Sequence, residues 1–359
     1  MKTYFRTWLL VLLIAVTALM QYLLGRSDAV LTFYIRHIFL PLQKARSVLF
    51  NPLPFSLGDV LYLLLALLLV VVLIRLVYYL LTFRKNRAEL KRELLRLLLV
   101  PAWIYFLFLL LWGGNYARKP LSAAWSAAPV AWNDTALISL NRELVARMNE
   151  VRRQPIRYPG LKETNRLANQ LYRRRYGNRL PGLEVKPTSL GYMLNYIGIQ
   201  GYYNPLSGEG QFNRFIPLFM HPFVISHEMA HQAGIAAEDD ANLLAYVLGA
   251  ESTIPAFRYS AYFNLFLYAY SDLKSRDSLT AKEIFATLNQ QSRDDLDTLR
   301  AMQQRYRSRF RRFTSGLYDE YLRLHGQKGG IQTYSEVSRW VYIRECLPEA
   351  KRADFEVCP

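Results

Sequence analysis

Apolar positions crowd into the first third of the chain, in three long runs separated by polar and basic segments. A helix of about 20 apolar residues crosses a hydrocarbon core roughly 30 Å thick. The runs at 8–24 (WLLVLLIAVTALMQYLL), 60–81 and 94–112 (LLRLLLVPAWIYFLFLLLW) are therefore predicted to be membrane-spanning helices. Arg75 interrupts the second run near its far end, where a long side chain can snorkel to the headgroups. Lys2 and Arg6 precede the first run, as in a signal peptide. The LLGRSD that follows offers no small-x-small cleavage signal, so the run reads as a retained anchor. Between the second and third runs, FRKNRAELKRELLR carries Arg84, Lys85, Arg87, Lys91 and Arg92. The positive-inside rule places that loop and the N-terminus in the cytoplasm, and three crossings carry everything after Trp112 to the outer side. The expected division is a membrane anchor at 1–114 and an extracytoplasmic domain at 115–359.

Past residue 114 the pattern is that of a globular region. The segment PAFRYSAYFNLFLYAY, Pro255–Tyr270, is aromatic but short and interrupted, and is expected to be a core or membrane-facing helix instead of a fourth span. Leu190–Asn213 has aromatic and β-branched character broken by Gly and Pro, and is predicted to form two short strands around a turn at Asn204–Gly210. The predicted fold class is α+β, mainly helical, with a small sheet.

Composition narrows the partners. With 52% hydrophobic residues among 359, a largely disordered chain is excluded. The net charge of +17 suits nucleic acid or an anionic membrane surface. No nucleic-acid fold accompanies it, and the RYRSRFRR run ending at Arg312 reads as a solvated basic helix face behind Tyr306, Phe310 and Phe313. The lipid bilayer is the expected partner, and nucleic acid is not; the oligomeric state is not legible. Two cysteines exclude any multi-cysteine metal module. Cys346 and Cys358 both fall on the predicted outer side, where either a disulfide between them or two separate thiols is compatible with the sequence.

Chemistry concentrates in His221–Ala250, HPFVISHEMAHQAGIAAEDDANLLAYVLGA. Pro222 is tolerated in a first helical turn. His227 and His231, four residues apart, share a helix face on which both imidazoles can converge. Glu228 follows the first His, about 100° round the helix, as the pattern H-E-x-x-H requires of a general base. Gly234 can take a left-handed conformation and end that helix. A second helix is expected near Ala237, with Glu238 at its start. Glu238 delivered against the two imidazoles would complete a His₂Glu set for Zn²⁺, leaving one position for water. Asp240 is the rival carboxylate, pointing roughly 200° away from Glu238. Asn242 and Asp240 are expected to surround the ligands without binding the ion, Asn242 holding an imidazole or the Glu238 carboxylate. Apolar flanks suggest that this helix is buried, and burying two His and a Glu without partners is costly.

Four other groups of residues have weaker patterns. His221 reads as the first residue of the helix, and His37 and His325 as ordinary polar residues. Glu209 and Asn213 are candidates for substrate contact, with turn polarity as the plainer explanation. Arg258, Tyr259 and Tyr262 are candidates to stabilise an oxyanion, with simple packing as the alternative.

HEMAH followed by E-x-x-A-N (Glu238, Ala241, Asn242) resembles the gluzincin branch of the zincin metallopeptidases, including membrane enzymes of the CAAX-prenyl-protease type. The interval of seven residues from His231 to Glu238 is shorter than in many gluzincins. Taken as a whole, with PFSLGD before the second run and NYAR after the third, the chain resembles a three-span bacterial membrane family catalogued as a domain of unknown function. That family brings no established substrate; the gluzincin resemblance implies a zincin-like domain hydrolysing peptide or protein substrates, here expected on the periplasmic side of the inner membrane. In it, Zn²⁺ would be held by His227, His231 and Glu238, with Glu228 as the base. Two other functions fit the sequence. One is a non-catalytic receptor or assembly factor with a structural zinc site, closed by Asp240 or His221. The other is a basic scaffold at the membrane surface with no metal.

Overall fold

The computed structural model describes residues 2–126, 128–180, 182–308, 316, 320 and 334–347. Among them the chain is mainly helical, with one three-stranded sheet. It divides into two compact units: residues 1–118 with 204–209, and residues 119–203 with 210–359.

The first unit contains helices α1 (Lys2–Arg26), α2 (Asp28–Phe33), α3 (Leu40–Phe50), α4 (Leu57–Leu81) and α5 (Arg87–Leu111). Three stretches are long and apolar enough to span a membrane: Tyr4–Arg26, Leu57–Leu81 and Arg87–Leu111. This is a multi-pass membrane protein. The third of these helices begins at Arg87, ahead of the apolar run that opens at residue 94, because Ala, Glu, Lys, Arg and Leu are strong helix formers that extend a helix beyond its apolar part. Ser56 caps α4, its hydroxyl accepting from the Asp59 amide at 3.0 Å. Glu209 accepts from the Gly58 amide at 2.7 Å, so a carboxylate also satisfies the start of α4. The rest of the 204–209 turn is held by α3, with Gln43 donating to Gly208 O and Arg46 to Pro205 O, each at 2.7 Å. Toward the other end of α4, buried Glu93 accepts from Arg75 and Arg96, both at 2.6 Å.

The second unit is built around α11 (Pro255–Arg276). Packed against it are α6 (Asp134–Val151), α9 (His221–Gln232), α10 (Glu238–Ala250), α12 (Ser278–Ala286) and the helix Tyr334–Cys346. Phe257, Tyr259, Phe263 and Phe266 of α11 are fully buried, so the aromatic segment is a core helix. Tyr259 and Tyr262 are occupied with packing. The Tyr259 hydroxyl donates to Asp295 at 2.6 Å, and Tyr262 lies beneath the Arg147 guanidinium. Asp295, on α13 (Gln290–Arg305), is also held by Arg152 through two bonds of 3.0 and 3.2 Å.

The sheet has the order β1-β3-β2, from β1 (Val185–Pro187), β2 (Gly201–Asn204) and β3 (Glu209–Phe212). β1 and β3 run parallel, with Val185 opposite Gly210. Two short strands around a turn are present, but the first half of the segment expected to be extended is a helix, α8 (Gly191–Ile197). Leu194 and Asn195 face inward, and Gly198 at φ 76° terminates the helix as a left-handed cap. Cys346 is exposed; Cys358, His325 and the Arg309–Arg312 part of the basic run lie outside the described residues.

Candidate metal centre

α9 starts at His221, whose buried ring bonds Ile216 O at 3.0 Å and packs edge-on against Phe212. Burial lowers its pKa, and its contacts are those of a structural residue. The helix is fixed from three sides. Ser260 of α11 accepts from the Phe223 amide at 3.0 Å, and Tyr172 donates to Ser226 O at 2.6 Å. The Gln232 amide bonds both backbone groups of Glu184, at 2.8 and 3.0 Å. α9 ends in a Schellman motif. Gly234 adopts φ 89°, its amide bonds His231 O, and the Ile235 amide bonds Ala230 O, both at 3.0 Å. The chain reverses within five residues, and α10 begins at Glu238.

That reversal brings Glu238 against both imidazoles. The His227 and His231 Nε2 atoms are 3.1 Å apart, with their rings perpendicular. Glu238 Oε2 lies 3.2 Å from His227 Nε2, and its Oε1 lies 3.6 Å from His231 Nε2. All three donor groups fall within 4.8 Å of one another. Tetrahedral ligands at about 2.0–2.1 Å from one Zn²⁺ are about 3.3–3.4 Å apart, so the spacing fits a single ion. The tautomer fits as well. His231 Nδ1 lies 2.7 Å from Ile235 O, to which it can only donate, so the proton sits on Nδ1 and the Nε2 lone pair faces the cluster. The cluster can coordinate a metal ion.

Burial dominates its electrostatics. Burial, together with the neighbouring His227, holds the His231 pKa down to about 4, against the pull of Glu238. His227 is opposed by burial, yet the hydrogen bond and charge of Glu238, with help from Glu228 and Asn242, raise it. Glu228 is 3% exposed, and burial pushes its carboxyl up to about 8 despite His227. Three buried polar atoms here have no hydrogen-bond partner: His227 Nδ1, Glu228 Oε2 and Asn242 Nδ2. Such orphans are costly in a core that water does not reach.

Asp240 is placed elsewhere. It accepts from the Leu121 amide at 3.0 Å and ties the start of α10 to the turn Leu121–Trp125. Burial and the adjacent Asp239 raise its pKa to about 8. Glu209 and Asn213 serve the turn polarity described above. Glu209 accepts from Gly58, and Asn213 bonds Asn195 and the Phe215 amide.

The sequence reading missed the groups that hold Glu228. A Cβ at Gly201 would collide with Glu228 Oε1 and stand 2.9 Å from Gln211 O; one at Gly210 would stand 3.1 Å from Glu228 Cβ. A glycine inside a strand pattern signals close backbone approach, and both strands carry one. Tyr203 of β2 places its ring 6.4 Å from that of His231. Tyr268 of α11 has its phenol pKa raised by burial and by the Glu238 charge. Gly201→Ala is expected to displace the Glu228 carboxyl and leave the three donors in place. Metal content should be unchanged while any kcat falls about 10²-fold, the scale for roughly 1 Å of misplacement.

Residues 34–342 match the profile of the family described as Protein of unknown function (DUF3810). The chain belongs to this family. The match takes in α4, α5 and the whole of α9 and α10, so the second and third spans and the His-His-Glu cluster lie within the family region. No curated protein and no solved structure matches the chain.

Proposed function

We propose that this protein is a membrane-anchored, zinc-dependent peptidase, with the 115–359 region as its zincin-like catalytic domain outside the cytoplasmic membrane. One observation carries the reading: two imidazoles and a carboxylate converge within 4.8 Å, beside a buried carboxyl that is not one of them. His227, His231 and Glu238 would hold the ion. A bound Zn²⁺ would supply a Lewis acid for the scissile carbonyl and an acidified water.

Glu228 holds and moves the proton. It takes one from the attacking water and returns it to the leaving amine nitrogen. Burial raises its carboxyl above the ordinary range, which helps it hold the proton it must give back, and a cation held beside it would favour the charged form that first accepts that proton. Gly201 and Gly210 set its position, and burial excludes competing solvent. Asn242 is the residue beside His227 suited to orient that ring.

The test uses the full-length chain purified in nanodiscs. Metal analysis should find one divalent ion per chain. A peptide library should be cleaved, with cleavage abolished by a chelator and restored by Zn²⁺. A chain without stoichiometric metal would sink the reading. A stoichiometric ion with no hydrolysis of any library peptide would replace it with a structural zinc site in a receptor or assembly factor.

A further inference from the structure

The second unit buries its large apolar side chains almost completely, with one exception. Among its described residues, six large hydrophobics are exposed, and five of them fall between positions 192 and 218: Tyr192, Met193, Tyr196, Phe215 and Leu218. Ring contacts tie three of the five, Tyr192, Tyr196 and Phe215, together over Tyr306. Tyr192 makes edge contacts with Tyr196, Phe215 and Tyr306, at centroid distances of 5.6 to 6.5 Å. The rings are backed from within. Tyr306 is buried beneath the two tyrosines, and Ser308 donates to Tyr196 O at 2.9 Å. Met193 is 66% and Leu218 59% exposed. A soluble surface rarely gathers such side chains without a partner.

The rim is cationic. Exposed Arg214 lies over the Phe215 ring and Arg305 over the Tyr306 ring, each presenting a guanidinium beside an aromatic face; exposed Arg307 follows. Neither 190–220 nor 299–308 contains an exposed carboxylate; Glu209, the one acid in them, is buried on Gly58. Phenols, a thioether and a phenyl ring framed by arginines suit the headgroup–acyl boundary of an anionic bilayer, where amphipathic rings and guanidiniums are both satisfied. The chain's own spans tether it to such a surface, so even a weak patch acts at high local concentration.

We infer that the Tyr192–Leu218 face, with Arg214, Arg305 and Arg307, is a docking surface for anionic lipid headgroups. It holds the second unit on the membrane to which the spans anchor the chain.

The experiment takes the full-length protein in nanodiscs, with Cys346→Ser and Cys358→Ser as background. A fluorophore is attached through Met193→Cys, or through Leu279→Cys, an exposed apolar position outside the patch. Spin-labelled lipids with the quencher near the headgroup report contact. With phosphatidylglycerol in the disc, quenching at 193 should exceed that at 279 by about threefold. It should fall to the 279 level in pure phosphatidylcholine, or when Arg214, Arg305 and Arg307 are all changed to Gln. Equal quenching at both positions overturns the proposal, as does quenching at 193 that ignores lipid charge. Protection at 193 that rises with protein concentration at fixed lipid composition overturns it too, in favour of a second copy of the chain. Should the Met193 variant not fold, hydrogen exchange of the 190–218 peptides in the two disc types gives the same decision: slower exchange in the anionic discs supports docking, and identical rates refute it.

Discussion

Glu228→Gln is expected to retain the metal and lose turnover by about 10²–10⁴-fold, the range for removing a general acid–base group. The change is nearly isosteric, so the amide still fits the space left by Gly201 and Gly210. The converging donors are those of His227, His231 and Glu238, and none belongs to Glu228. What disappears is the capacity to accept and release a proton in a buried site. His227→Ala behaves differently. It removes one of three donors and leaves Glu238 facing His231 alone, at 3.6 Å. Both stoichiometric metal and hydrolysis should be lost. Metal analysis and peptide cleavage on the two purified variants, side by side, separate the roles. A Glu228→Gln protein that cleaves as fast as the parent would show that the base lies elsewhere.

The largest stability effect is expected at Asp295. Its carboxylate accepts two bonds from Arg152 and one of 2.6 Å from the buried Tyr259 hydroxyl, joining α13, α11 and the end of α6. Asp295→Ala leaves a guanidinium and a phenol without their acceptor in a largely closed environment, with the ion pair only 16% and 12% exposed. The lower end of the range for broken buried pairs applies, about 3 kcal/mol, because some solvent reaches Arg152. For a unit of this size that lowers Tm by roughly 6–12 °C. The comparison is Asp297→Ala, two residues along the same helix, where both partners of the Arg300 pair are more than half exposed. Its Tm should match the parent. Thermal melts followed by circular dichroism decide between the two sites.

Periodicity and spacing made some of this legible in advance. The three candidate spans followed from long apolar runs, and the alignment of His227 with His231 from a separation of four on a helix. Gly234 was readable as a stop, and the structure gives it the left-handed φ that such a stop needs. The helical character of Gly191–Ile197 was obscured by its aromatic, β-rich composition. Packing of Leu194 and Asn195 beneath it outweighs that local preference. The Asp295 knot could not be read at all, since Arg152, Tyr259 and Asp295 are more than 100 and 30 residues apart and meet only by packing. The same holds for Gly201 and Glu228. Their proximity comes from a sheet laid along α9, although glycines within two adjacent strand patterns were a usable hint.

The five-residue reversal between α9 and α10 limits how far His227, His231 and Glu238 can drift from one another. Hydrogen bonds seal the turn at Gly234 and Ile235, Gln232 bolts one helix to Glu184, and Asp240 bolts the other to Leu121. Each grip is made by the polypeptide itself. The two helix ends are thus clamped by the chain's own hydrogen bonds, and the spacing of the three side chains is inherited from the backbone on either side of the turn.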